Sequence, residues 1–218
     1  MLTSRLCFQT VGSTIAISLR PVRLNGRQIM LKRAFDLLAA SAGLILTAPL
    51  LAAIALAVRL SSPGPVFFRQ RRVTKDGKVF QMHKFRTMRT GADRAVDTSA
   101  PFFKMTDDPR LTAVGRFIRR TSLDELPQLW DVLVGHMSVV GPRPLPADQV
   151  AANIELLAER HEVPAGVTGW WQVNGRSSLS PEAAVGLDRF YIENWSLGLD
   201  LYILLKTFGA VARGKGAF

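Results

Sequence analysis

The sequence predicts an α+β protein, mostly helical, in which a membrane helix that enters and leaves on one face precedes a compact cytoplasmic domain. Three observations carry this. Residues 37–58 contain no charged side chain, an Asp-Gly pair at 76–77 separates two short basic stretches, and much of the remaining chain spaces its apolar residues as helices do. The segments are a basic tail over 1–30, the membrane helix over 31–60 and a membrane-associated domain over 61–218.

The tail holds Arg5, Arg20, Arg23 and Arg27 and no acid. Its apolar run, residues 14–19, is short and leads into a basic stretch, which predicts a poorly ordered tail and not a targeting segment.

At about 1.5 Å per residue, the roughly 22 uncharged positions reach about 33 Å, enough to cross a hydrocarbon core of ~30 Å. The flanks oppose a simple crossing. Lys32 and Arg33 precede the run and Arg59, Arg69, Arg71 and Arg72 follow it, so the positive-inside rule assigns both ends to the cytoplasmic side. Pro49, near the middle, removes one helical hydrogen bond and crowds the preceding turn. A helix that bends at Pro49 and returns satisfies all three facts; a plain spanning helix is the competing reading.

Ser61-Ser62-Pro63-Gly64-Pro65 ends the run with helix breakers. Residues 66–72 and 78–86 read as strands joined at Lys75-Asp76-Gly77, a hairpin signal. Residues 87–109 read as a loop, with Asp107-Asp108-Pro109 as turn chemistry. Residues 146–161, 180–193 and 197–211 read as helices. The last carries Leu199, Tyr202, Ile203, Leu205, Phe208 and Val211, relieved by Asp200, Lys206 and Arg213, and suits a helix lying flat on a bilayer.

A net charge of +11 on 218 residues calls for an anionic partner: nucleic acid, acidic lipid or a phosphorylated substrate. No nucleic-acid motif is visible. The lone Cys7 excludes an internal disulfide, and His83, His136 and His161 are too dispersed for a local metal motif. The Gly-rich stretch 163–176 has neither P-loop nor dinucleotide spacing.

The chemistry concentrates in residues 121–144, TSLDELPQLWDVLVGHMSVVGPRP. Pro127 is tolerated only in a first helical turn, so a helix should begin at or just before Asp124. A carboxylate there is kept ionised by free N–H groups and the helix dipole. Arg116, Arg119 and Arg120, at helical spacing, bring cations that suit phosphate. Ser122 and Glu125 match a capping box, the plain structural reading. A cap does not require flanking arginines, nor Arg143 held between Pro142 and Pro144.

LDELPQLWDVLVGHMSVVGPRP closely resembles the signature of the bacterial sugar transferases, small monotopic phosphoglycosyl transferases that begin glycan assembly on a polyprenol phosphate. KRAFDLLAA, KFRTM, GVTGWWQVNGR and DRFYIENWSLGLDLYILLKT extend the similarity over roughly residues 30–212. The resemblance implies a re-entrant helix in the cytoplasmic membrane and transfer of a sugar-1-phosphate from a UDP-sugar to polyprenol (undecaprenyl) phosphate, with UMP released. Asp124 would be the nucleophile, and Glu125 with Asp200 would hold Mg²⁺. Arg119 and Arg143 would clamp phosphate, supported by Lys84, Arg86 and Arg176, while Asn174 and Arg176 would meet nucleotide or sugar.

Three positions depart from the family pattern. Ala48 stands where a serine usually precedes the proline, leaving Thr47 as its stand-in; Asp131 replaces an asparagine and His136 an acid. Membrane lipid is the further partner expected, nucleic acid is not, and a homo-oligomer is compatible with this organisation. The competing function, a non-catalytic basic membrane adaptor binding anionic lipid, accounts for the charge and leaves Asp124-Glu125 unexplained.

Overall fold

Asn25 opens the longest element. Its side chain accepts the Gln28 N–H at 2.9 Å while Gln28 Oε1 accepts the Asn25 N–H at 2.9 Å, a reciprocal cap that starts α1 (Gly26–Ser61). The computed structural model describes residues 6–11, 14–19, 24–91, 108–175 and 179–212. α1 runs through Pro49 for 36 residues, and Thr47 Oγ1 donates to the Gly43 carbonyl at 2.6 Å just before it. Threonine back-bonding of this kind favours a bend, next to the proline that the sequence marks for one.

Both halves of α1 are fastened to the same folded unit. Near its start, Lys32 Nζ donates to Asp200 Oδ2 at 2.8 Å and to the Val140 carbonyl at 2.9 Å. Arg33 donates to the Val132 and Leu133 carbonyls, and Asp36 accepts from Ser138 Oγ and the Val139 N–H. Near its end, Ile54 and Val58 pack with Phe85 and Ile118. Between the anchors, Ile45 and Leu46 are 74% and 80% exposed, an apolar surface that the described residues leave uncovered. A helix this long and apolar is suited to a membrane.

Residues 6–11 and 14–19 pair as an antiparallel hairpin, β1 (Leu6–Val11) and β2 (Thr14–Leu19). This corrects the expected unstructured tail. Within the apolar run 14–19, Ile15, Ile17 and Leu19 alternate with Thr14, Ala16 and Ser18 at strand period.

The second hairpin matches expectation within a residue: β3 (Phe67–Val73) pairs with β4 (Val79–Phe85), placing Phe68 opposite Lys84 and Arg72 opposite Phe80. Asp76 and Gly77 take φ of 56° and 70°, the paired left-handed residues that an Asp-Gly turn supplies. α2 (Ala113–Arg120), α3 (Gln128–Leu133) and β5 (Ser138–Val140) follow. β5 pairs in parallel with β6 (Gly166–Thr168). A Cβ on Gly166 would lie 2.0 Å from the Gly141 nitrogen, so glycine is obligatory where these backbones meet.

The helix expected over 146–161 is broken into α4 (Ala147–Ala152), α5 (Ile154–Leu157) and a 3-10 stretch, Ala158–Glu162. Asn153 causes the break. Its φ of −135° is not helical, and its side chain donates to the Gln149 carbonyl at 2.9 Å. α6 (Trp170–Asn174), α7 (Pro181–Glu193) and α8 (Leu197–Ala212) complete the fold, α7 capped by Ser180. The main core gathers Ala40, Phe80, Met82, Val132, Met137, Tyr191, Trp195 and Ile203, which ties α1, the hairpin, α3, α7 and α8 together.

Candidate active site

α2 ends in Arg119 and Arg120, and Ser122 then takes the left-handed conformation at φ 57°. This reverses the chain into a single 3-10 turn, Leu123–Glu125, and α3 begins only at Gln128 with Pro127 as its cap. The expected helix start at Asp124 is therefore corrected. Ser122 makes no capping bond, and Glu125 turns away to cations from other elements.

Glu125 is held from two sides. Arg143 Nη2 reaches Oε1 at 2.5 Å and Nη1 reaches Oε2 at 3.3 Å, while Lys84 Nζ donates to Oε1 at 3.2 Å. Burial raises the Glu125 pKa, but Arg143 and Lys84 outweigh it and hold the group well below the usual carboxylate range. Lys84 is pushed down to about 8, chiefly by burial.

Asp124 is 7% exposed and accepts no hydrogen bond from the described residues. Burial, with Glu125 beside it, pushes its pKa up to about 6; Lys84, Arg143 and Arg119 pull the other way. The sequence anticipated a carboxylate steadied by a helix end. The fold instead supplies a desolvated one with cations near it but none bound to it. At pH 7 such a group is still roughly nine-tenths ionised, and it lacks the hydrogen bonds that would blunt it as a nucleophile.

These groups share a cavity of about 840 Å³. Its polar lining includes Gln70, Arg72, Lys84, Arg119, Asp124, Glu125 and Arg143, and its apolar lining Phe67, Phe68, Leu129, Trp171 and Phe208. The Arg119 carbonyl accepts from the Ser122 N–H, but the Arg119 guanidinium makes no hydrogen bond with the described residues and is open to an anion. Arg72, which the sequence offered only as a flanking cation, lines the same wall and donates to the Pro144 carbonyl at 2.8 Å. The signal for it was strand alternation, since residues 68, 70 and 72 share a face with Lys84 across the hairpin.

Three assignments change. Arg86 lies at the cavity edge but is 6% exposed, and it donates to the Val58, Ser62 and Pro63 carbonyls. It closes the C-terminal end of α1, with both terminal nitrogens committed to backbone carbonyls. Asp200 is fully buried outside the cavity wall, where it accepts from Lys32, Tyr191 Oη at 2.8 Å and Trp195 Nε1 at 3.2 Å, and the structure does not bring it together with Glu125. Asn174 is exposed, bonded to the Trp170 carbonyl and to Lys206 Nζ, and does not line the cavity. Arg176 lies outside the described residues.

The profile of the bacterial sugar transferases matches residues 27–214. This chain belongs to that family. It is 43% identical over 215 residues to the UDP-glucose:undecaprenyl-phosphate glucose-1-phosphate transferase of Escherichia coli, covering 95% of this chain and 45% of that protein. It is 45% identical to the sugar transferase EpsL of Bacillus subtilis, covering 86% of this chain and 90% of EpsL. It is 40% identical to the exopolysaccharide production protein ExoY of Rhizobium meliloti, covering 87% and 88%. The chain thus spans less than half of the Escherichia coli relative and most of the other two.

In this member of the family the residues that depart from the family pattern sit outside the cavity. Asp131 is fully buried and accepts from the His83 N–H at 2.9 Å, with His83 Nδ1 2.7 Å from its other oxygen. His136 packs on Phe80 with ring centroids 5.6 Å apart. As for metal, the described residues contain no cluster of three His, Cys, Asp or Glu side chains. Glu125 and Asp124 still fit a Mg²⁺ that takes most of its ligands from substrate phosphate, because an ionised carboxylate offers about four acceptor sites and Glu125 fills three.

Proposed function

We propose that the chain is a phosphoglycosyl transferase that moves a sugar-1-phosphate from a UDP-sugar to a polyprenol phosphate through a covalent intermediate on Asp124. The observation that carries this reading is the pairing of unlike carboxylates: Asp124 buried without a partner, Glu125 clamped by Lys84 and Arg143, in one cavity. An Asp124 oxygen attacks the phosphorus bearing the sugar. The bond to the bridging oxygen breaks, UMP leaves with that oxygen, and the sugar phosphate stays esterified to Asp124. A phosphate oxygen of the lipid acceptor then attacks the same phosphorus and displaces the carboxylate, giving the polyprenyl diphosphate sugar. Dividing the transfer avoids bringing two polyanions together at once.

Arg119 and Arg143 neutralise the diphosphate during attack, and Lys84 keeps Glu125 oriented. Bound Mg²⁺, held by Glu125 and the donor's phosphates, would add charge neutralisation at the leaving UMP. The apolar wall of Phe67, Leu129, Trp171 and Phe208 suits a lipid-borne acceptor. Relatives named for UDP-glucose and for galactose transfer support a UDP-hexose donor and exopolysaccharide assembly.

The anchors of α1 support the membrane reading. Lys32 and Arg33 at one end and Ile54 and Val58 at the other all dock on the catalytic unit, so a re-entrant helix keeps that unit on a single, cytoplasmic face while its apex enters the lipid. Mass spectrometry of protein mixed with UDP-sugar tests the central step. The expected result is an adduct of one sugar phosphate on the peptide carrying Asp124; turnover without any such adduct would refute the covalent scheme.

A further inference from the structure

Building on the reaction proposed above, we propose that Arg160, backed by Asp188, is a positioning residue that holds the Arg143 backbone so that its guanidinium meets Glu125 and the substrate. Three consecutive carbonyls in the Pro-Arg-Pro segment are each gripped by a different element. The Gly166 N–H donates to the Pro142 carbonyl at 2.9 Å, Arg160 Nη2 to the Arg143 carbonyl at 2.9 Å, and Arg72 Nη1 to the Pro144 carbonyl at 2.8 Å. The two prolines have no N–H to offer and fixed φ, so these carbonyl bonds are how the segment is aimed.

Arg160 and Asp188 do not line the active cavity and reach it only through this backbone. Arg160 is 3% exposed, Asp188 fully buried, and Nε lies 2.6 Å from Asp188 Oδ2. Burying such a pair is a poor way to gain stability, because well-packed apolar residues often do as well or better. The bond onto Arg143 supplies another reason for it. One guanidinium makes both contacts from separate nitrogens in a rigid fork. A lysine, with one nitrogen on a flexible stem, keeps the charge beside Asp188 but not the geometry.

The test uses the full chain in lipid nanodiscs. Arg160→Lys is expected to lower kcat/KM for UMP release by about 100-fold, the scale of a misplaced catalytic group, with a melting temperature close to wild type. Arg143→Ala should lower it by about 10²–10³-fold, and adding Arg160→Lys to Arg143→Ala should cost nothing more, since both act on one guanidinium. Near-wild-type turnover in Arg160→Lys, or losses that add, would overturn the proposal. A second readout needs no turnover: phenylglyoxal should modify Arg143, followed by peptide mapping, several-fold faster in Arg160→Lys and in Asp188→Asn. Unchanged labelling in both also overturns it. A wild-type protein inactive with every UDP-sugar would sink the reaction scheme alone, while the labelling still decides the positioning role.

Discussion

Replacing Asp124 with asparagine should end turnover and, at the same time, make the protein harder to melt. Burial and the neighbouring Glu125 raise Asp124 from 3.8 to about 6, so the folded state binds its proton more tightly than the unfolded chain does. A raised acid of this kind contributes nothing to the pH dependence below 3.8, where both states are protonated. Stability falls as pH climbs from 3.8 to 6, and the loss is complete above 6. About two pH units at ~1.36 kcal/mol each amount to roughly 3 kcal/mol at pH 7. Asparagine removes the charge and with it this penalty. At about 2–4 °C per kcal/mol for a domain of this size, the apparent melting temperature should rise by roughly 6–12 °C at pH 7 and hardly at all at pH 4. Thermal melts in nanodiscs without nucleotide or divalent ion, followed by tryptophan fluorescence, measure this. An Asp124→Asn protein that melts at or below wild type at pH 7 would show that the cations of Lys84, Arg143 and Arg119 favour the ionised group after all, and the desolvated-nucleophile reasoning would fall.

The same two groups should shape the pH dependence of turnover: kcat/KM for UMP release is expected to drop on the acid side near pH 6 as Asp124 takes a proton. It should drop again near pH 8 as Lys84 loses one, and a flat profile from pH 5 to 9 would remove both from the rate-determining chemistry. Asp200→Asn leaves Lys32 buried without its charge partner and should cost about 3–5 kcal/mol in chemical denaturation. Lys32→Met with Asp200→Leu should recover most of that stability and retain turnover, whereas a metal ligand at 200 would leave the double variant inactive. Single cysteines at Gln28 and Leu60, probed with an impermeant maleimide in sealed vesicles, should label from the same side. Labelling from opposite sides would establish a spanning helix.

The hairpin and α8 were legible because each rests on local chemistry. Asp76-Gly77 dictates its own backbone, and an apolar surface at helical spacing needs no partner to be recognised. The sequence presents α4 and α5 as one helix because Asn153 looks like any helix residue until its amide is seen on the Gln149 carbonyl. Arg86 and Lys84, two apart in one motif, looked equivalent. One bonds Glu125 and the other closes α1, because a basic side chain shows its charge in the sequence but not which acceptor is nearest. Asp200, which the resemblance implies as a metal ligand, pairs with Lys32, 168 positions away, a contact that local sequence does not show.

What the chain's order of residues determined alone was the inventory: a dyad of acids, an excess of cations, an apolar helix and the family those motifs belong to. Each follows from side-chain identity and short-range spacing, which folding does not alter. Which acid is bare and which is clamped was decided only in three dimensions. Asp124 and Glu125 are covalent neighbours with nearly the same intrinsic acidity, and burial, Lys84 from the hairpin and Arg143 from the Pro-Arg-Pro segment drive them apart. Solvent exclusion and charges from distant segments exist only once the chain has closed around them.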